Sequence, residues 1–330
     1  MTFSGRGLYA SSSKEPRQRH FGWLVIGVCV AIAALVVGGL SAVGGVATSS
    51  ESRGDTFDGA ERLVVDNQTS GGTRITGTDG DTVTVERTLR GNPLHSVEED
   101  VRLDGDSTVN AEARCTGMLI FGGFGGCSAD YEIGVPEGTE ITVETASGAV
   151  GVRAVEGGAP LSVSTKSGQV ETTDVTADTS VRTSSGAIRL HGAEGDMDLE
   201  STSGAIQASG SGENIKATAT SGSVGLNGIS ATDLTVETTS GAVRVDGGFG
   251  TADFAATSGS LDVNAAEPFQ RITADTTSGA IDLRVPGGSY DVMGSSTSGS
   301  RDIAVDRDSG AEAEIDASTT SGSLSITPTG

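Results

Sequence analysis

Thr183-Ser184-Ser185-Gly186-Ala187-Ile188 decides the fold, because close variants of it return along most of the chain. Thr239-Ser240-Gly241-Ala242-Val243 and Thr277-Ser278-Gly279-Ala280-Ile281 are two of them. The Ser-Gly pair recurs with its glycine at Gly148, Gly168, Gly186, Gly204, Gly222, Gly241, Gly259, Gly279, Gly299 and Gly322. Successive intervals are 20, 18, 18, 18, 19, 18, 20, 20 and 23 residues, a period that belongs to stacked repeats. Two residues after the glycine stand Val150, Val170, Ile188, Ile206, Val224, Val243, Leu261, Ile281, Arg301 and Leu324, aliphatic in every copy but one. The next residue is never apolar in its side chain: Gly151, Glu171, Arg189, Gln207 and so on to Ser325. Five residues before the glycine a second mostly small-apolar column runs from Val143, Val163, Val181 and Leu199 to Phe254 and Ala317.

Alternation with period two means strands, since neighbouring side chains of a strand point to opposite faces. Each repeat therefore holds two short strands joined at a Ser-Gly corner, with a second break near Gly192, Gly210, Gly228 and Gly247. One such coil cannot bury its apolar edge, but stacked coils make a continuous core flanked by parallel sheets. The expected fold is all-β, a parallel β-helix (β-solenoid) of about 18–20 residues per coil, preceded by one N-terminal transmembrane helix. Glycine is expected at the corners for positive φ. Thr145, Thr165, Thr183, Thr238, Thr276 and Thr319, three residues before it, are expected to satisfy one another along the axis. The Arg301 copy and the longer last intervals predict bulged final coils.

Composition fits this plan. The chain has 330 residues with 50 glycines and only 12 aromatic rings, which excludes an aromatic-cored globule. No collagen triplet period is present, and glycine plus proline, 57 of 330 residues, stay below the share of about 25–30% that marks a disordered low-complexity chain.

Between Arg19 and Glu51 there is no charged residue, and Phe21 to Ala47 is long enough to cross a bilayer. Residues 21–47 are read as an uncleaved signal anchor, although Gly45-Val46-Ala47 resembles a weak cleavage site. Cys29 within it is read as an apolar filler. Arg6, Lys14, Arg17 and Arg19 precede the span, so residues 1–20 are placed as a basic cytoplasmic tail and the C-terminal part outside, in a single-pass cell-membrane protein. Residues 48–60 are read as a linker, 61–130 as degenerate early coils and a cap, and 131–330 as the regular solenoid. Beyond residue 50, acidic side chains outnumber basic ones by more than two to one, a charge that repels nucleic acid and suits cations or basic partners.

With its Thr-Ser-Ser-Gly-Ala-Ile coils and the lead-in Tyr131-Glu132-Ile133-Gly134-Val135-Pro136, the chain resembles a bacterial putative-adhesin family of envelope proteins built on a parallel β-helix. The resemblance spans about residues 60 to 330. It implies the architecture and an envelope location, and it brings no catalytic motif.

Cys115 and Cys127 flank an apolar, glycine-rich segment and are expected to form a disulfide rather than a metal site, with no histidine cluster beside them. His20, His95 and His191 support neither zinc spacing nor a triad, so no catalytic, cofactor or metal residue is assigned. Asp79-Gly80-Asp81 and Asp104-Gly105-Asp106 are oxygen-rich turns that match no calcium loop. Arg53-Gly54-Asp55 spells an integrin-binding tripeptide and is read as chance. Asn67-Gln68-Thr69 spells a glycosylation sequon. Thr202, Thr220, Thr239, Thr257, Thr277, Thr297 and Thr320 line up beside the corner, which raises ice binding but lacks a wide flat face.

Three functions compete: a non-enzymatic surface module for an extracellular protein or glycan, a self-associating structural or envelope-signalling element, and a polysaccharide-acting enzyme. Asp302, Asp306 and Asp308, or Asp196 and Asp198, are the carboxylates such an enzyme would nominate. Coils this short leave few residues for a cleft, so the surface module is expected.

Overall fold

A computed structural model of the chain describes residues 49–91, 95–105, 107–117 and 126–329. The expected anchor at 21–47 and the basic tail lie outside the described residues, as does most of the apolar loop between the two cysteines. No helix among the described residues is long and apolar enough to cross a membrane.

The described part is an all-β solenoid with two parallel sheets facing each other across a core. Its first strands are β1 (Ser49–Asp58), β2 (Arg62–Asn67), β3 (Thr73–Thr78), β4 (Thr82–Gly91), β5 (His95–Asp104), β6 (Thr108–Gly117) and β7 (Ser128–Pro136). Regular winding follows with β8 (Glu140–Thr145), β9 (Val150–Val155), β10 (Leu161–Thr165), β11 (Val170–Thr176), β12 (Thr179–Thr183), β13 (Ile188–Glu194) and β14 (Met197–Ser201). β15 (Ile206–Ala219), β16 (Val224–Ser240) and β17 (Val243–Ser258) each run unbroken around the second bend from one sheet into the other. β18 (Leu261–Ala265), β19 (Arg271–Ser278) and β20 (Ile281–Val285) continue the winding. The last strands are β21 (Ser289–Ser298), β22 (Arg301–Ile303), β23 (Asp306–Arg307), β24 (Glu314–Ser321) and β25 (Leu324–Pro328).

Both apolar columns point inward. Val170, Ile188, Ile206 and Val243 are wholly buried, as are Val143, Val181, Leu199 and Phe254 on the facing sheet. Stacked aliphatics of this kind gain ~25 cal/mol per Å² removed from water, which is what joins coils too small to fold singly.

The corner glycines answer to close approach rather than to φ. At Gly168, Gly186 and Gly204, φ is not positive. A Cβ on Gly186 would instead overlap the carbonyl oxygen of Gly168, and one on Gly204 that of Gly186, so each corner leaves no room for a side chain on the next. The expectation of positive φ fails at eight of the ten corners and holds at Gly241 and Gly322, each with φ 159°. Left-handed residues do occur at the second bend, where Ala154, Asp174 and Gly192 (φ 50°, 53° and 62°) form a column of bulges.

The buried hydroxyls also bond differently from expectation. Thr165 Oγ1 and Thr183 Oγ1 each accept the N–H of their own corner glycine, Gly168 and Gly186, at 2.9 Å, and Ser201 Oγ accepts that of Gly204 at 2.8 Å. These three pin the corner within a coil; Thr319 Oγ1 instead donates to Gly279 O of the neighbouring coil at 3.1 Å, and the hydroxyls of Thr145, Thr238 and Thr276 have no partner. One hydroxyl is misplaced: Thr172 sits in the core column between Val152 and Leu190, wholly buried, and its Oγ1 has no partner. Thr172→Val keeps the shape and removes the unsatisfied group. It is expected to raise the unfolding free energy by ~1 kcal/mol in urea titration.

Coil order in space departs from order in sequence at both ends. β24 pairs with β19 on one side and β21 on the other, and β25 likewise lies between β20 and β22. The last residues of the chain thus form an inner coil, and residues 289–303 form the outer one. The same holds at the start, where β2 lies between β6 and β8, and β3 between β7 and β9. This corrects the picture of final coils that merely bulge. Arg301 breaks the aliphatic column because its coil is the outermost: the residue is exposed, and its Nη1 donates to Gly294 O at 2.8 Å.

At the N-terminal end, β4 pairs antiparallel with β7, β1 with β4, and β5 with β6. Residues 49–58, read from sequence as a linker, are therefore a strand. Nearly all of β1 is exposed on both faces, so no hydrophobic alternation marked it. Inside this end, the Arg87 guanidinium is paired with Glu99, and its Nη1 lies 2.6 Å from Asp55. Arg87 and Glu99 are almost fully buried, and Arg53 Nη1 approaches Glu99 at 3.3 Å.

Candidate functional site

Outward positions repeat once per coil, so each becomes a row across the stack, ~4.8 Å per step. On the first sheet the exposed threonines Thr220, Thr239, Thr257, Thr277 and Thr320 line an open groove of about 480 Å³, with Glu237 and Asp275 along the next row. Neighbouring Asp253 has its carboxyl raised above the ordinary value by partial burial, then by the negative charges of Asp275 and Glu237. Two lines of polar groups abut here, which is narrower than the wide face that ice recognition requires.

Some of the other outward carboxylates are engaged by arginine. Arg182 pairs with Asp198 and, at 3.2 Å, with Glu200. Arg284 bridges Asp262 at 2.9 Å and Asp282 at 3.1 Å, while Arg244 reaches Asp262 at 3.2 Å. Exposed pairs such as these contribute little individually, ~0–1 kcal/mol.

Of the residues nominated for hydrolysis, Asp196 and Asp198 are each held by other groups. Asp196 Oδ1 accepts the backbone N–H of Asn214 at 2.8 Å and of Glu213 at 3.1 Å, and Oδ2 accepts Asn214 Nδ2 at 2.9 Å. Bonds from Asn214, backbone first, hold its carboxyl below the usual range, opposite to what a general acid needs. Asp198 is tied to Arg182. Asp302, Asp306 and Asp308 are exposed on and just after the outermost coil. His191 faces outward on β13, far along the sheet from His95 on β5.

Among the described residues no group of three or more His, Cys, Asp or Glu could hold a metal ion. Asp79-Gly80-Asp81 is the tight turn between β3 and β4, and Asp104 is occupied by Arg102 Nε and Asn110 Nδ2.

Cys115 and Cys127 are bonded, with Cα atoms 5.8 Å apart. The bond joins the end of β6 to the residue before β7, beside the short corner at Gly71 of the neighbouring coil. Asn67 is the hub of that corner. Wholly buried, it donates from Nδ2 to Ala129 O at 2.9 Å and to Gly71 O at 3.1 Å, and accepts from Thr69 Oγ1 at 2.7 Å. Its amide is thus closed to glycosylation in the folded chain. Sequence reasoning saw only the sequon, although a polar residue in the threonine column two residues before Thr69 was a signal for a corner. Asn67→Ala leaves buried backbone groups unpaired and is expected to cost ~2–4 kcal/mol in equilibrium unfolding.

Neither Arg87 nor Glu99 carried any sequence signal. Beside them Tyr131 is buried, its hydroxyl has no hydrogen-bond partner, and burial raises its ionisation above the ordinary value. These groups close the end of the core, and Arg87 and Glu99 also border open grooves of about 640 and 370 Å³.

No curated protein matches this chain. Among solved structures it is similar to one called a putative lipid binding protein from Parabacteroides distasonis ATCC 8503, at 14% identity and a TM-score of 0.41, covering 86% of this chain and 97% of that one. A putative adhesin from Bacteroides fragilis NCTC 9343 aligns at 12% identity and a TM-score of 0.36, covering 85% and 97%. Another putative adhesin, from Parabacteroides merdae ATCC 43184, aligns at 10% identity and a TM-score of 0.32, covering 86% and 97%. The Toastrack DUF4097 model matches residues 60–327, which takes in nearly every coil described above, and the chain belongs to that family.

Proposed function

We propose that the protein is a membrane-anchored, outward-facing interaction module that binds an extracellular protein or glycan along the outer rows of its solenoid and turns nothing over. The observation that carries this is the surface itself: its polar side chains form long axial rows, and the carboxylates suited to hydrolysis are dispersed or already paired. A row that repeats every coil suits an extended or repeating ligand, because many weak contacts act together. Residues 21–47 supply the anchor and the preceding basic tail the orientation. An acidic exterior favours basic or cation-coated partners over nucleic acid.

The test uses whole cells carrying the full chain. With Thr257→Cys in a Cys29→Ala background, a membrane-impermeant maleimide is expected to label intact cells. Those cells are expected to adhere to envelope glycan or matrix protein more than cells lacking the chain, with no sugar released. Labelling only after lysis would contradict the topology, and sustained release of oligosaccharide would contradict a binding role.

A further inference from the structure

We propose that β1 is an assembly edge that pairs antiparallel with β1 of a second copy, about a two-fold axis through Gly54. Among the described residues β1 pairs only with β4, in unbroken register from Ser49↔Gly91 to Asp58↔Thr82. Among the described residues its other side is therefore unpaired and presents the N–H and C=O of alternate residues along a ten-residue strand without a bulge, proline or lysine. Exposed edges of this kind are usually blunted. The outer coil at the opposite end is blunted in this way, since Arg301 occupies the core column and ties up the carbonyl of Gly294. β1 carries neither proline nor a bulge, and its charges are of both signs.

Its sequence is instead complementary to itself. In the antiparallel register that places Gly54 opposite its own copy, Arg53 faces Asp55 of the second chain and Asp55 faces Arg53, so two ion pairs form symmetrically. Ser52 faces Thr56 in the same register. Moving the axis by one residue to either side sets Arg53 against Arg53 or Asp55 against Asp55, so like charges penalise the neighbouring alignments. Both charged side chains are half-exposed, at 46%. Each already touches the buried charges within its own chain: Asp55 contacts Arg87, and Arg53 contacts Glu99. Pairing across the axis would extend this into a row of alternating sign. Gly54 has ample space around it, since a Cβ there would come no nearer than 4.0 Å to any atom, the closest being Glu86 Cγ. The occupant is a second copy because a two-fold contact requires one patch to complement itself, and Arg53-Gly54-Asp55 does so.

The test uses the full chain with Cys29→Ala, in detergent and in native membranes under mild oxidation. Gly54→Cys is expected to give a disulfide-linked dimer at least tenfold faster than Ser50→Cys, which lies on the same face but four residues from the axis. Chains carrying Ser52→Cys and chains carrying Thr56→Cys are expected to cross-link when mixed and not when separate. Equal rates for Gly54→Cys and Ser50→Cys would overturn the proposal, and so would Gly54→Cys cross-linking only to a different protein.

Discussion

Gly204→Ala is expected to destabilise the solenoid by at least ~4 kcal/mol and to lower its melting temperature by ~10 °C or more. The added methyl would overlap the carbonyl oxygen of Gly186, which is backbone and held on both sides by its neighbours, so relief requires two coils to move apart. Separation there would also stretch the bond from the Ser203 N–H to Ser184 O and the ladder between Ile188 and Ile206. Gly151→Ala is the control. Gly151 lies on the outer surface with no atom within 4 Å of a Cβ, and alanine there should be neutral or stabilising by up to ~1 kcal/mol. Thermal unfolding of the two variants separates crowding at the corner from a general dislike of replacing glycine. Equal melting temperatures would remove the close-packed glycine column from the account.

Deleting residues 314–330 is expected to do more than shorten the stack. In a solenoid wound in sequence order, the last residues form the last coil, and removing them exposes one coil beneath. Here β24 and β25 are the floor on which β21 and β22 rest. Without them the segment 289–313 loses its parallel partners and the bond from Asp291 N to Ala313 O no longer has a fixed acceptor. The stacked rings of Phe269 and Tyr290, 5.3 Å apart, lose their support as well. Hydrogen exchange should therefore show loss of protection over 289–313 by about two to three orders of magnitude, with residues 140–265 unchanged. Protection of 289–303 at its original level would mean that this coil does not depend on the chain's end.

The two columns of the solenoid could be read directly. Nine aliphatics two residues after the Ser-Gly corner bury where alternation places them, because inside and outside are properties of single residues. Which coil lies beside which is a property of pairs. Parallel strands of nearly identical sequence accept one another in any order, so nothing in Thr319-Thr320-Ser321-Gly322 distinguishes an inner coil from a terminal one. Arg301 was visible as an exception, and its meaning followed only once its coil proved to be the outermost. β1 was missed because an edge strand exposed on both faces has no apolar rhythm. The Arg87 and Glu99 pair was missed because burial of a charge depends on partners brought in from other strands. For the candidate site, dispersal of the carboxylates was legible from their abundance, whereas the hold of Asn214 on Asp196 needed the corner geometry.

Both ends of the stack are locked by a coil inserted out of sequence order, and a pair of double-cysteine chains tests this most directly. Ser278 and Ser321 lie opposite each other on neighbouring strands, and Ser298 lies opposite Ser321 one strand further out. In a Cys29→Ala background, Ser278→Cys with Ser321→Cys is expected to form an intramolecular disulfide, since neighbouring strands are ~4.8 Å apart and disulfides span Cα separations of ~4.4–6.8 Å. Ser278→Cys with Ser298→Cys, two strands apart, is expected to stay reduced. The reverse result, a bond between positions 278 and 298 and none between 278 and 321, would show coils stacked in sequence order and contradict the account.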